Sequence, residues 1–241
     1  MKYFSIHNSL DERITGKLPQ VKEVVHNCHV WDDPNFIDRF PFKKIETVPI
    51  LSNAVLFAEA EQTDLIETGG IGFSYGSMLI SNRLKNLLEK HKCHGVQFFP
   101  ASLIHKNKKI ENYWQSHIYD IPYGFLDFDE IDLLLKDRDE NGKPIKRYLE
   151  RMGKDDFLNL KESLKYPKML FLKNLSFNEE MDLDYFFLPN MEGTGYGIVS
   201  ERLRKEMDKQ NINGIEFKPI EVELNNWLGP HGLRKDIYGK T

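Results

Sequence analysis

Only two cysteines, Cys28 and Cys93, occur in 241 residues. Two thiols cannot build a disulfide framework, so a reducing cytoplasm is the expected setting. No apolar run approaches the roughly 18 residues that a membrane span needs. The opening stretch, MKYFSIHNSLDERITG, has none of the apolar core that a secretory leader carries. Basic charge is not in excess either: Lys and Arg number 33 against 37 Asp and Glu, a formal net charge of −4, with a pI near 6.1. Broad nucleic-acid binding usually needs a basic field, so nucleic acid is not an expected partner. What is left is the balance of an ordinary globular chain, 40% apolar and 29% charged. At this length it can bury a sizeable core as one large domain or two small ones.

The most informative feature is repetition. Gly76–Pro100 reads GSMLISNRLKNLLEKHKCHGVQFFP, and Gly195–Pro219 reads GYGIVSERLRKEMDKQNINGIEFKP. Ser81/Ser200, Arg83/Arg202, Leu84/Leu203, Gly95/Gly214, Phe98/Phe217 and Pro100/Pro219 all match at one offset of 119 residues. Ser81 and Ser200 stand where an N-cap hydroxyl would accept a backbone N–H. Leu84, Leu87 and Leu88 follow at helical spacing, as do Leu203 and Met207. Gly95 and Gly214 stand where the chain leaves the helix, a place for positive φ. VQFFPASLI and IEFKPIEVEL then read as strands, each with a proline that points to an edge, a strand start or a bulge. Each unit is therefore a strand, a helix and a strand. The fold class expected is α+β, two internally repeated strand–helix–strand units with largely antiparallel sheet.

Upstream, ILSNAVLFAEA and DLIET in Val48–Thr68 parallel KMLFLKNLSF and DYFFLP in the second half. The expected organisation is one globular unit over residues 1–241, with repeats at about 46–135 and 165–226. Residues 227–241 are a C-terminal arm, docked by Trp227 and Tyr238 or frayed. Val21–Trp31 reads as a strand, residues 113–150 as further sheet with a hairpin at Asn141-Gly142, and Asp155–Leu164 as a short helix.

Several motifs have a chemical reading and a plainer one. His26, Cys28 and His29 could ligate a soft metal, but no second ligand cluster lies at usable spacing, so a half-buried strand is preferred. Cys93 has Ile212 as its repeat mate, which makes it a small apolar residue in a core rather than a nucleophile. Gly69-Gly70-Ile71-Gly72 and Gly193-Thr194-Gly195-Tyr196-Gly197 resemble phosphate loops. Apolar residues intervene before the N-cap serine, and no Gly-Lys-Ser/Thr follows, so turn glycines are the reading. Asp137–Gly142 matches the start of a calcium loop whose twelfth position is Tyr148 instead of Glu. Arg83 and Arg202 oppose the helix dipole, which suggests that each pairs with a carboxylate in the sheet. No catalytic residue, metal ligand or cofactor is predicted.

The acidic stretch Asp120–Glu140 holds Asp120, Asp127, Asp129, Glu130, Asp132, Asp137, Asp139 and Glu140 against Lys136 and Arg138. It reads as a solvated strand face, as carboxylates for acid–base work beside His117, or as a negative patch offered to a basic partner. Under the last reading the candidate partner-binding residues are Asp120, Asp127, Asp129, Glu130 and Asp132.

The second unit, IVSERLRKEMDKQNINGIEFKPIEV, resembles the C-terminal motif of a bacterial immunity-protein family that guards cells against polymorphic or contact-delivered toxins. Ser200, Leu203, Gly214, Phe217 and Pro219 carry the likeness, with DYFFLPN before them, and it covers Lys168–Val222. Here the motif stands twice. The resemblance implies a non-enzymatic protein that binds and neutralises a cognate toxin in the cytoplasm. The alternatives are a small hydrolase-type enzyme using the His26–Asp33 region and His117, or an adaptor or scaffold without a toxin.

Overall fold

The computed structural model describes residues 1–69, 76–193 and 195–239. In chain order, β1 (Tyr3–Asn8) leads through the short helix α1 (Glu12–Thr15) to β2 (Val21–Val25), β3 (Asn53–Leu56) and β4 (Leu65–Ile66). The first repeated unit follows as β5 (Leu79–Ser81), α2 (Asn82–Leu88) and β6 (Val96–His105), and β7 (Lys108–Ile118) folds back on it. Next come β8 (Asp132–Arg138), β9 (Pro144–Leu149), α3 (Lys154–Ser163) and β10 (Met169–Lys173). The second unit is β11 (Tyr185–Phe186), β12 (Ile198–Ser200), α4 (Glu201–Lys209) and β13 (Ile215–Pro219), followed by α5 (Leu224–Leu228) and α6 (Leu233–Tyr238).

The strands form three sheets, ordered β2-β3-β6-β7-β5-β4, β11-β12-β1-β13 and β10-β8-β9. These pairings are antiparallel apart from β3 beside β6. The fold is α+β, and the two units are built alike. Ser81 Oγ accepts the Leu84 N–H at 3.2 Å, and Ser200 Oγ accepts the Leu203 N–H at 3.1 Å. Both serines cap the helix that directly follows a three-residue strand.

What the repeat did not announce is the strand that completes the second unit. In the first, β7 lies between β5 and β6; in the second, β1 from the N-terminus lies between β12 and β13. Tyr113 faces Ser81 across the ladder, and Tyr3 faces Ser200. The Tyr113 hydroxyl donates to the Thr63 carbonyl, and the Tyr3 hydroxyl donates to the Leu183 carbonyl. Lys85 Nζ sits 4.4 Å from the centre of the Trp114 ring, and the Arg204 guanidinium carbon sits 4.4 Å from that of Phe4. The second unit is thus a permuted copy, with its last strand moved to the start of the chain.

Both repeat helices face one core. Leu84, Leu87 and Leu88 of α2 meet Leu203 and Met207 of α4, with Phe4, Ile6, Ile80 and Val199 from the sheets. Helical spacing puts those residues on one stripe of each helix, and the two stripes pack into the same cluster. A second core lies under β8, β10 and α3, around Phe157, Leu133 and Leu172.

The helix exits dock reciprocally. The exit of α2 lies on the second unit, where the His94 N–H donates to the Tyr185 carbonyl. The exit of α4 lies on the first, where the Leu65 N–H donates to the Asn213 carbonyl. Gly214 takes φ +79°, and a Cβ there would stand 2.5 Å from the Leu65 carbonyl oxygen. Gly95, at φ +65°, faces the Asp120 carbonyl in the same way. The expected left-handed glycines are therefore also close-approach glycines.

One expectation needs adjustment. The strand expected over Val21–Trp31 ends at Val25. Asn27 Nδ2 donates to the Leu51 carbonyl, and the Asp32 and Asp33 N–H groups both donate to the His29 carbonyl, so side-chain and turn bonds replace the ladder. Pro100 lies inside β6, next to a register shift between Ala101 and Leu103, as a bulge accommodates it. Of the first glycine cluster only Gly69 is described, and Gly70-Ile71-Gly72 lies outside the described residues, as does Thr194 of the second. Gly195 packs on β1, with the Tyr196 N–H donating to the Ile6 carbonyl.

The C-terminal arm is docked on the rest of the chain from Trp227 to Tyr238. Trp227 is 2% exposed, and Arg234 grips the buried Glu216 through two hydrogen bonds of 2.6 Å. The Tyr238 hydroxyl accepts the Phe217 N–H at 2.7 Å.

Candidate partner-binding surface

The acidic segment begins where β7 ends. Asp120 stands apart from the rest, with Oδ2 2.9 Å from His94 Nε2 and a largely exposed side chain. After a turn of 3-10 helix, Asp127 opens a tight turn in which the Glu130 N–H donates to its carbonyl. Asp127 is half-buried, while Asp129 and Glu130 are exposed. β8 then begins at Asp132.

Three of these residues converge on one cation that the segment itself does not contain. Arg151, just past the end of β9, donates to the Asp129 carbonyl at 2.8 Å and to Asp132 Oδ1 at 3.1 and 3.3 Å. Its Nη1 also lies 3.5 Å from Glu130 Oε2. Asn174 Nδ2 donates to the other Asp132 oxygen at 2.8 Å. The hydrogen bonds from Asn174 and Arg151 hold the Asp132 carboxyl below the usual carboxylate range. Asp132 is thus tied into the fold, and Asp129 and Glu130 are the members that offer charge to solvent. Further on, Asp139 Oδ1 accepts the Asn141 and Lys143 N–H groups, which closes the hairpin between β8 and β9. That use of Asp139 explains the calcium-like sequence as turn chemistry.

The residues with possible catalytic or metal chemistry are dispersed. His26 Nδ1 bonds the Ser52 hydroxyl, Cys28 packs beside Phe36 and Ile37, and exposed His29 pairs with Asp32. Among the described residues there is no group of three or more His, Cys, Asp or Glu that would hold a metal ion. Among the described residues two serine–histidine contacts exist, His26–Ser52 at 2.8 Å and Ser5–His7 at 2.9 Å. In both the serine is buried, at 2% and 0% exposure. Burial, with nearby Lys218, holds the His7 imidazole down at about 4. His117 Nε2 bonds the Lys43 carbonyl at 2.7 Å, and burial lowers its affinity for a proton. The Cys93 thiol, pushed up to about 12 by burial, donates to the Leu88 carbonyl.

Arg83 pairs with Asp64 and Arg202 with Asp184, the residues that open DLIET and DYFFLP, and Arg202 also reaches Asp182 at 3.2 Å. Each aspartate also accepts its N-cap serine hydroxyl at 2.5 Å. Each then reaches across to the other unit: Asp64 accepts the Asn213 N–H, and Asp184 accepts the Lys92 N–H. The arginines announced a carboxylate, but not one that also clasps the opposite helix exit.

The fold is thus two like α+β units clasped face to face, with an acidic turn on the surface of an intervening sheet. This chain belongs to the Immunity protein family (Imm11), whose model matches residues 2–222. The matched stretch takes in β1 and both units and stops short of α5. No curated protein matches the chain. No helix among the described residues is long and apolar enough to cross a membrane.

Proposed function

We propose that this protein binds a cognate protein toxin in the bacterial cytoplasm and neutralises it by occupancy, without catalysis. The family match over residues 2–222 carries this reading. Burial of the Ser5 and Ser52 hydroxyls supports the non-enzymatic part, since a nucleophile must reach its substrate. Within the same reading, residues 1–241 are one globular unit built from two internal repeats at about 46–135 and 165–226, with the arm at 227–241 added to it.

The contact is assigned to the acidic segment, with Asp129 and Glu130 at its centre and Asp120, Asp127 and Asp132 around them. A toxin that attacks nucleic acid carries a basic cleft, and an exposed acidic turn fits such a cleft as a phosphate mimic. The test is co-expression with the toxin encoded beside it, followed by co-purification and a survival assay. Protection and a stable complex are the expected result. Survival without a complex would place the protein's action on something other than the toxin itself.

A further inference from the structure

A cavity of about 230 Å³ lies between the end of β1 and the C-terminal arm. Sites for drug-sized ligands start at roughly 300 Å³, so this one has room for a single side chain. Leu10, Leu18, Leu224, Trp227 and Leu228 make its apolar wall, and His7, Asn8, Glu67 and Glu216 its polar end. Among the described residues no lysine or arginine lines it.

The polar end holds one carboxylate that the fold has not neutralised. Glu216 is already matched, since Arg234 donates to both of its oxygens at 2.6 Å and the Leu10 N–H adds a bond at 2.8 Å. Glu67 is half-buried, accepts the Gly69 N–H at Oε1 at 2.9 Å, and enters no ion pair among the described residues. His7 faces Glu216 across the β1–β13 ladder and, held at about 4, is uncharged at neutral pH. It therefore does not repel a cation beside Glu67. Asn8 gives its Nδ2 to the Tyr196 hydroxyl at 2.9 Å, and its Oδ1 is buried without a hydrogen-bond partner. A buried acceptor left unpaired costs free energy that an incoming donor would recover.

A carboxylate beside an amide carbonyl selects a cation, and the apolar wall selects one carried on an alkyl stem. One Glu67 oxygen already holds Gly69, which favours a compact ammonium over a guanidinium that grips two oxygens at once. The rim bears on how such a group arrives. Leu10, Leu224 and Leu228 line the cavity, yet each is more than a third exposed. A second cavity, of about 470 Å³, shares Leu10, Trp227 and Leu228 and continues to Pro230. Contiguous apolar surface of this kind suits a protein segment better than a free solute. Leu224, Trp227 and Leu228 lie beyond residue 222, where the family match ends, so this wall is built by the arm.

We propose that the cavity binds a lysine side chain of the partner protein, carried on an apolar segment that packs over Leu10, Leu224 and Leu228. The stem lies along Leu18 and Trp227, and the ammonium sits between Glu67 and the Asn8 side-chain carbonyl. That the partner is a toxin rests on the proposed function; the preference of the cavity for an alkylammonium does not.

The test uses the whole protein without any toxin. Nα-acetyl-L-lysine methylamide is titrated while the Trp227 indole and Asn8 carboxamide resonances are followed by NMR. The norleucine counterpart, which keeps the stem and lacks the ammonium, and putrescine are titrated in parallel. The expected result is a saturable, millimolar shift of both resonances with the lysine amide and binding about tenfold weaker for norleucine. Glu67→Gln, whose amide oxygen can still hold the Gly69 N–H, should lose affinity for the lysine amide by a similar factor. No saturable shift, equal binding of norleucine, or unchanged binding in Glu67→Gln would overturn the proposal. Tighter binding of putrescine than of the lysine amide would also overturn it, by assigning the cavity to a free amine. If the lysine amide fails to bind and a toxin complex still forms, the site falls and the toxin reading stands.

Discussion

Tyr3 is the structural counterpart of Tyr113. Each faces the N-cap serine of a repeat helix, and each hydroxyl donates to the carbonyl just before a clasping aspartate. The 119-residue offset places no strand of the second unit at the N-terminus, yet β1 is where that unit is completed. A strand of six residues can be supplied from anywhere in the chain, because a ladder reads register and side-chain pattern, not sequence order. The consequence is that the first and last thirds of the protein are interlocked.

The interlocking makes Asp64 and Asp184 more than helix anchors. Asp64→Ala or Asp184→Ala removes the acceptor of a serine hydroxyl and of a backbone N–H of the other unit, and leaves Arg83 with only the Asn211 carbonyl or Arg202 with only Asp182. Each is expected to lower unfolding free energy by about 2–3 kcal/mol, the scale of lost hydrogen bonds to a charged group. Urea denaturation followed by tryptophan fluorescence measures it. A loss under about 1 kcal/mol would make the clasp incidental to stability.

Acid should unfold the protein in two stages. His7 is held at about 4, below its ordinary 6.5, so its contribution is full above 6.5 and drains as pH falls towards 4. For Asp184, burial works to raise the carboxyl. The hydrogen bonds from Arg202, Ser200 and the Lys92 N–H outweigh it and hold the group at about 2. Its share is full above the unfolded aspartate value of about 3.9 and is lost below that. Melting temperature should therefore fall from near neutrality downwards, with His7→Gln flattening the first stage alone.

Cys93 should resist thiol reagents in the folded state, since burial raises the thiol to about 12 and its Sγ is bonded to Leu88. Replacing it with Ala or Val is expected to cost about 1–2 kcal/mol of packing. Labelling of native protein, mapped by mass spectrometry, checks this; rapid modification at Cys93 would contradict the burial argument.

Charge reversal separates the acidic residues by role. Asp129→Lys and Glu130→Lys should leave the melting temperature nearly unchanged and slow toxin association, with the effect shrinking as salt rises. Asp132→Lys should also disturb the fold, because Arg151 and Asn174 lose their acceptor. Association rates that ignore both salt and these substitutions would remove the segment from the interface.

The arm can be released by one change. Trp227→Ala should cost about 3–5 kcal/mol as a buried aromatic truncation. Hydrogen exchange should rise at Phe217, whose N–H depends on Tyr238. Protection at Phe217 that persists would mean that the arm docks without its tryptophan.

Much of the architecture is legible along the chain because it rests on local rules. The Ser81 and Ser200 caps, the leucine stripes, the positive-φ glycines and the Asn141-Gly142 hairpin all follow from residues within one turn of each other. The family likeness in Lys168–Val222 is legible for the same reason, being made of cap and core residues. The acidic run is legible as composition, but its division into exposed and tied members is not, since Arg151 follows β9 and Asn174 follows β10.

What sequence alone determined, then, is the repeated unit and its helix chemistry. Tertiary structure decided which strand completes the second unit, which helix exit each aspartate clasps, and that Gln97 holds Ile45 at both its N–H and its carbonyl. Each of these is a contact between segments far apart in the chain. Local propensity is blind to such contacts, because nothing within a turn or a ladder step changes when the distant partner does.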